Sequence, residues 1–176
     1  MRGVRPLTPT MPAPPPDSVV LDRAAEIIKA ASRPVVIAGL RCERPEDAGW
    51  LRAFVEALPA PLLATAQAKG LLPETHPLAL GTFTGGEGDD VLLGLADVIV
   101  TCGLSPEELD PHRWPYSALV VHLDRTPPSN RPFIPFVNVL GDLSLILEEL
   151  APRLRGKTRA DWDVFQLDRL KRARAG

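Results

Sequence analysis

What most limits the fold of this chain is a set of short runs that are apolar at consecutive positions instead of alternate ones. "RPVVIAG" (33–39), "APLLATA" (60–66), "DVIVTCG" (97–103), "ALVVHLD" (118–124) and "PFVNVLG" (135–141) are the clear cases, and "PLALGTF" (77–83) is a weaker one. A strand with one wet face alternates apolar and polar side chains, so unbroken runs need cover on both faces and point to a mainly parallel sheet.

Helical periodicity fills most gaps between those runs. "SVVLDRAAEIIKAAS" sets Val20, Ala24, Ile27, Ile28 and Ala31 at helical spacing behind Asp17 or Ser18 as N-cap. "RPEDAGWLRAFVEALP" puts Pro45 in a first turn, acids just after it, and Trp50, Phe54 and Leu58 on one stripe. "GDDVLLGLA" reads as a short helix with Asp89 and Asp90 at its positive end, and "DLSLILEELAPRL" as a capped helix. Alternating strands and helices make the class α/β, a single doubly wound sheet with helices on both faces.

A length of 176 residues with 45% hydrophobic composition fits one domain with a sizeable core. Residues 1–18 carry six prolines and read as a linker or arm, because proline fixes φ and removes donors. The domain then occupies 19–156. Residues 157–176 form a terminal helix and tail, with Trp162, Phe165 and Leu170 as its apolar stripe and Lys171, Arg172 and Arg174 at its negative end.

Lys+Arg 20 against Asp+Glu 22 leaves no basic field to collect nucleic acid or an anionic membrane. The N-terminus has no apolar core of a signal peptide, and no later stretch sustains the roughly 18 apolar residues of a membrane span, so a cytoplasmic protein is expected. Cys42 and Cys102, the two cysteines, form neither a CxxC nor a disulfide-rich pattern, which suits a reduced setting and argues against zinc. Cys102 closes a core strand and is expected to be inert; Cys42, in a loop, is expected to be exposed.

In a doubly wound sheet a ligand sits beyond the carboxyl ends of the strands, where the winding reverses and adjacent loops splay apart. Gly39 and Gly103 end two of the strands. Glycine there either leaves backbone N–H groups open to a ligand or simply lets the chain turn. Lys69 at a loop bend is assigned to a partner domain or water, and His76, held extended before Pro77, to a structural hydrogen bond. His112 and His122 have no ligand-pair spacing, and Glu107, Glu108 and Asp110 read as the solvated face of a turn. No catalytic residues and no metal ligands are assigned.

The series of runs, and above all "LLATAQAKGLLPETHPLALG" (62–81), resembles the central domain of thiamine-diphosphate-dependent enzymes, the group of acetolactate synthase, benzoylformate decarboxylase and oxalyl-CoA decarboxylase. Its Lys-Gly, Pro, His-Pro and Leu-Gly stand at the family's spacing, and the resemblance runs from about Leu21 to Leu154. It implies a six-stranded parallel sheet in the order 3-2-1-4-5-6. In the complete enzymes a pyrimidine-binding domain with an activating Glu comes before this region. A diphosphate-binding domain with Gly-Asp-Gly and a later Asn comes after it. Neither is recognised in these 176 residues, so thiamine diphosphate and Mg²⁺ are expected only in a complete enzyme with companion domains.

In the acetolactate synthase branch this domain carries FAD. The resemblance transfers those contacts to Gly39 and Leu40, Thr65, Ala66 and Gln67, Leu80 and Gly81, Gly103, and Asp124. Where those members have Gly-Ala-Arg, Gly103 is followed here by Leu104 and Ser105, so the guanidinium that grips a phosphate is missing. The leading reading is a structural, assembly-forming domain without independent catalysis, partnered by companion domains or by its own copies as a homo-oligomer. The alternative is a nucleotide-binding module for FAD, ADP or NAD, although no GxGxxG follows the first strand.

Overall fold

The computed structural model describes residues 14–127, 129–157 and 160–175. Six strands, β1 (Pro34–Ala38), β2 (Leu62–Thr65), β3 (Ala79–Phe83), β4 (Val98–Cys102), β5 (Leu119–Asp124) and β6 (Val137–Leu140), form one sheet in the order β3-β2-β1-β4-β5-β6. Every pairing is parallel. The chain winds outward from β1 to β3, then returns to lay β4 against the other side of β1, so the winding reverses between β1 and β4. The weak run at 77–83 is the edge strand β3, and its paucity of β-branched residues suits a strand paired on one side only.

Strand residues segregate with a period of two. Val36, Ala38, Val98, Val100 and Cys102 face a core closed by α1 (Ser18–Ala30), α2 (Pro45–Ala57) and α4 (Leu143–Arg153). Val35, Ile37, Leu63, Leu80 and Ile99 face a second core under α3 (Asp90–Leu95), the 104–116 segment and α5 (Val164–Ala175). Asp17 is the cap of α1, accepting from Val19 N at 2.8 Å and Val20 N at 3.2 Å. The buried stripe of α2 is Leu51, Phe54, Val55 and Leu58, with Trp50 at its margin. Residues 1–13 of the proline-rich arm lie outside the described residues; Pro14 and Pro16 pass against Gly141 at the end of β6.

The terminal stripe differs from expectation. Trp162 precedes α5, buried, with its indole N–H donating to Pro34 O at 2.8 Å. Leu167 takes the inward position with Leu170, and Phe165 is 79% exposed. Two residues of separation turn Phe165 about 200° from Leu167, onto the opposite side of the helix. Lys171 and Arg174 do more than oppose the helix dipole: Lys171 Nζ donates to Glu74 O and His76 O, and Arg174 donates to Gly88 O and pairs with Asp89. α5 thereby straps the outer edge of β3. Asp89 in turn is buried and accepts from Thr84 N and Gly85 N, so it organises the turn after β3 and makes no helix-cap bond.

Trp162→Phe keeps the apolar bulk but leaves Pro34 O without its donor. The expected cost is about 1–2 kcal/mol, read from the urea midpoint. An unchanged midpoint would show that the indole bond does not hold the terminal segment.

Candidate functional site

The reversal of winding brings the loops after β1, β2, β4 and β5 to one end of the sheet. Gly39, Leu40, Thr65, Gly103 and Asp124 meet there. The N–H groups of both glycines are already in use, Gly39 N donating to Cys102 O and Gly103 N to Leu123 O, each at 2.9 Å. What requires glycine is contact. A Cβ on Gly39 would lie 2.5 Å from Glu108 Oε2 and 2.8 Å from Gly103 O. Gly103 has φ +64°, and a Cβ there would lie 2.9 Å from Cys42 Sγ.

Glu108 fills the centre of this crevice. Its carboxylate accepts from Leu40 N at 2.9 and 3.1 Å, from Ser105 N at 2.9 Å and from the Thr65 hydroxyl at 2.5 Å. Two backbone N–H groups and a hydroxyl converging on one point form a nest of the kind that holds an anion. Here the anion is the chain's own side chain. The solvated-turn reading of Glu108 is therefore replaced. Part of the signal was present in "SPEE", since Ser105 and Glu108 have the S-x-x-E spacing of a capping box, and Ser105 N is the donor such a box satisfies. Nothing local indicated Leu40 and Thr65.

Asp124 is buried beside the nest and is also engaged. Arg41 Nη1 donates to Asp124 Oδ2 at 2.7 Å, Arg131 Nη2 lies 3.4 Å from the same oxygen, and Arg125 N donates to Oδ1 at 2.7 Å. Burial pushes the Asp124 carboxyl up, but the His122 ring, the Arg125 N–H and the Arg41 charge outweigh it and hold the group below its ordinary value. His122 Nε2 is 3.6 Å from Asp124 Oδ2, beyond hydrogen-bond length yet close enough for its field to favour the carboxylate. On its other side His122 Nδ1 is 2.6 Å from Thr101 Oγ1. Hydroxyl, imidazole and carboxylate are thus neighbours, but Thr101, His122 and Asp124 are all 0% exposed, so no substrate reaches them.

A neighbouring network closes the rim. Arg44 Nη2 bridges buried Asp47 at 3.1 Å and Asp142 at 2.5 Å; Ser144 Oγ donates to Asp47 and Arg125 donates to Asp142. Cys42 is buried here, contrary to the expected exposure, because Arg41 N and Cys42 N fold the loop back onto Gly103 O and Gly39 O.

The remaining transferred positions divide. Ala66 and Gln67 form the exposed start of a short turn after β2, with Gln67 on the wall of a shallow depression that also includes Leu40 and Arg44. Leu80 and Gly81 instead border a cavity of about 860 Å³ at the outer edge of β3, between the 69–74 loop, α3 and the last turns of α5. Lys69 lines both hollows. His76 has a structural place, its Nδ1 accepting from Leu78 N at 3.1 Å and its Nε2 lying 3.2 Å from Glu56.

Comparison with known proteins agrees with this architecture. The family model for the thiamine pyrophosphate enzyme central domain matches residues 21–150. The catabolic acetolactate synthase of Raoultella terrigena is 31% identical over 145 residues, covering 79% of this chain and 26% of the relative. Oxalyl-CoA decarboxylase of Escherichia coli is 30% identical over 141 residues, covering 77% and 24%. The crystal structure of benzoylformate decarboxylase from Polynucleobacter necessarius superposes with a TM-score of 0.65 at 25% identity, over 82% of this chain and 29% of that one. The chain thus spans about a quarter of the length of the curated relatives it matches.

Proposed function

The chain belongs to the thiamine pyrophosphate enzyme central-domain family, and from that premise we propose that it is a structural, assembly-forming domain with no chemistry of its own. The observation that supports this most is the self-satisfied crevice: Glu108 occupies the anion nest and Asp124 neutralises the nearest arginines. A nucleotide phosphate would have to displace a carboxylate held by three donors, and a ribose would find Asp124 already bonded. These residues do not fit FAD, ADP or NAD, so the nucleotide-module reading is not favoured.

Thiamine diphosphate and Mg²⁺ belong in this proposal to companion pyrimidine- and diphosphate-binding domains. Among the described residues no group of three or more His, Cys, Asp or Glu is arranged to hold a metal ion. No described helix is long and apolar enough to cross a membrane, and the proposal sets the domain in the cytoplasm. Its assembly contacts, whether to companion domains or to further copies in a homo-oligomer, fall to the exposed apolar side chains Ile134 and Phe136 before β6 and Val164 and Phe165 on α5.

Calorimetric titration of the purified chain tests the first half. Thiamine diphosphate with Mg²⁺, FAD and ADP should each give no saturable heat at micromolar concentration, and pyruvate should not be consumed. Saturable heat from ADP or FAD would establish the nucleotide module instead. Sedimentation across a wide concentration range tests the second half: self-association or co-purification of a companion is expected, and a strict monomer that recovers none would remove the assembly role.

A further inference from the structure

We propose that Cys42 and Cys102 form a site of reversible intrachain oxidation, which a peroxide converts to a disulfide joining the loop after β1 to the end of β4. The two thiols are 60 residues apart in sequence, and in the fold Cys42 Sγ lies 3.6 Å from Cys102 Sγ. A disulfide is about 2.05 Å long, so the two sulfurs must approach by about 1.5 Å. The backbone already holds them together: Arg41 N donates to Gly103 O at 2.9 Å and Cys42 N to Gly39 O at 3.0 Å. Gly103 is part of the same device, since a side chain there would occupy the space of Cys42 Sγ.

Chemistry assigns the order of events. The contact with Cys42 and complete burial hold the Cys102 thiol well above the usual thiol range, so Cys102 is a poor first nucleophile. Cys42, also buried but on the loop and 4% exposed against 0% for Cys102, is the one a small opening of that loop uncovers first, with its S–H directed to Cys102 O at 3.3 Å. Cys42 sulfur therefore attacks the peroxide O–O bond, taking one oxygen to become a sulfenic acid and releasing one water. Cys102 sulfur then displaces the hydroxyl from Cys42, the S–S bond forms, and the thiol proton leaves with that hydroxyl as a second water. Two thiols lose two electrons and the peroxide gains them.

The full chain is treated with hydrogen peroxide, unfolded, and assayed for free thiols beside an untreated sample and one reduced again with dithiothreitol. Both thiols should disappear after peroxide and return on reduction, with one cross-linked peptide joining the Cys42 and Cys102 segments of a single chain. Closing a loop of this size restricts the unfolded chain, so the oxidised protein should melt roughly 5–10 °C higher. Cys42→Ser should show neither the cross-link nor the rise. Wild type decides the matter even if that variant folds poorly. Two titratable thiols after peroxide, a sulfinic acid at Cys42 beside free Cys102, or cross-links only between chains would each overturn the proposal.

Discussion

Replacing Asp124 with alanine is expected to destabilise the chain by about 3–5 kcal/mol, the usual cost of removing one partner from a buried ion pair. Arg41 is 31% exposed along its side chain and can turn toward water, whereas the Arg131 side chain is only 2% exposed and cannot. Among the described residues Arg131 already leaves its Nε without a partner, and without Asp124 its charge would have no counterion in contact. Asp124→Asn should cost less, because an amide oxygen can still accept from Arg125 N. Urea midpoints at neutral pH measure both. A loss below about 1 kcal/mol for the alanine variant would show that Arg131 is not anchored by this carboxylate.

The same group predicts a pH dependence. Folding lowers the Asp124 carboxyl, so its contribution is complete above the unfolded value, about 3.9, and drains away as pH falls through the lower folded value. Asp142 acts in the same direction: burial raises it, while the Leu145 N–H, Arg44 and Arg125 prevail and lower it. Wild type should therefore lose stability on acidification below about pH 4, and Asp124→Ala should show a shallower decline over that range.

The second large effect is expected at Glu108. Glu108→Ala leaves Leu40 N, Ser105 N and the Thr65 hydroxyl facing an empty nest, and bonds to a charged acceptor contribute about 1.5–3 kcal/mol. We expect a loss of about 2–3 kcal/mol in a buffer poor in anions, moderated where water enters. The emptied nest should then accept inorganic phosphate, which should raise the melting temperature of the variant and leave that of wild type unchanged. A Glu108→Ala variant as stable as wild type would mean that the carboxylate does not hold these loops together.

How far this was legible varies with the distance over which each feature is determined. The central strands β1, β4 and β5 and their burial on both faces were readable because unbroken apolar runs report local environment directly, and the helix starts because Asp17 and Pro45 act within one turn. Phase was harder. In α5 the large Phe165 drew the stripe toward itself, while the helix packs through the smaller Leu167, a choice made by the surface beneath it. At the crevice, the S-x-x-E spacing indicated one of Glu108's bonds and concealed the rest, because a capping box is complete without distant partners.

By itself, then, the sequence determined the α/β class and the five clear apolar strands, and its Lys-Gly to Leu-Gly segment carried the family, whose resemblance implied the sixth. All three rest on residues close together in the chain, where periodicity and turn chemistry operate. Only the tertiary structure decided what fills the crevice. Leu40 and Glu108 are 68 residues apart, Thr65 and Glu108 43, Arg41 and Asp124 83, and the two cysteines 60. No local period relates such positions; they meet because parallel strands deliver their following loops to one end of the sheet, where desolvation makes each buried charge find a partner.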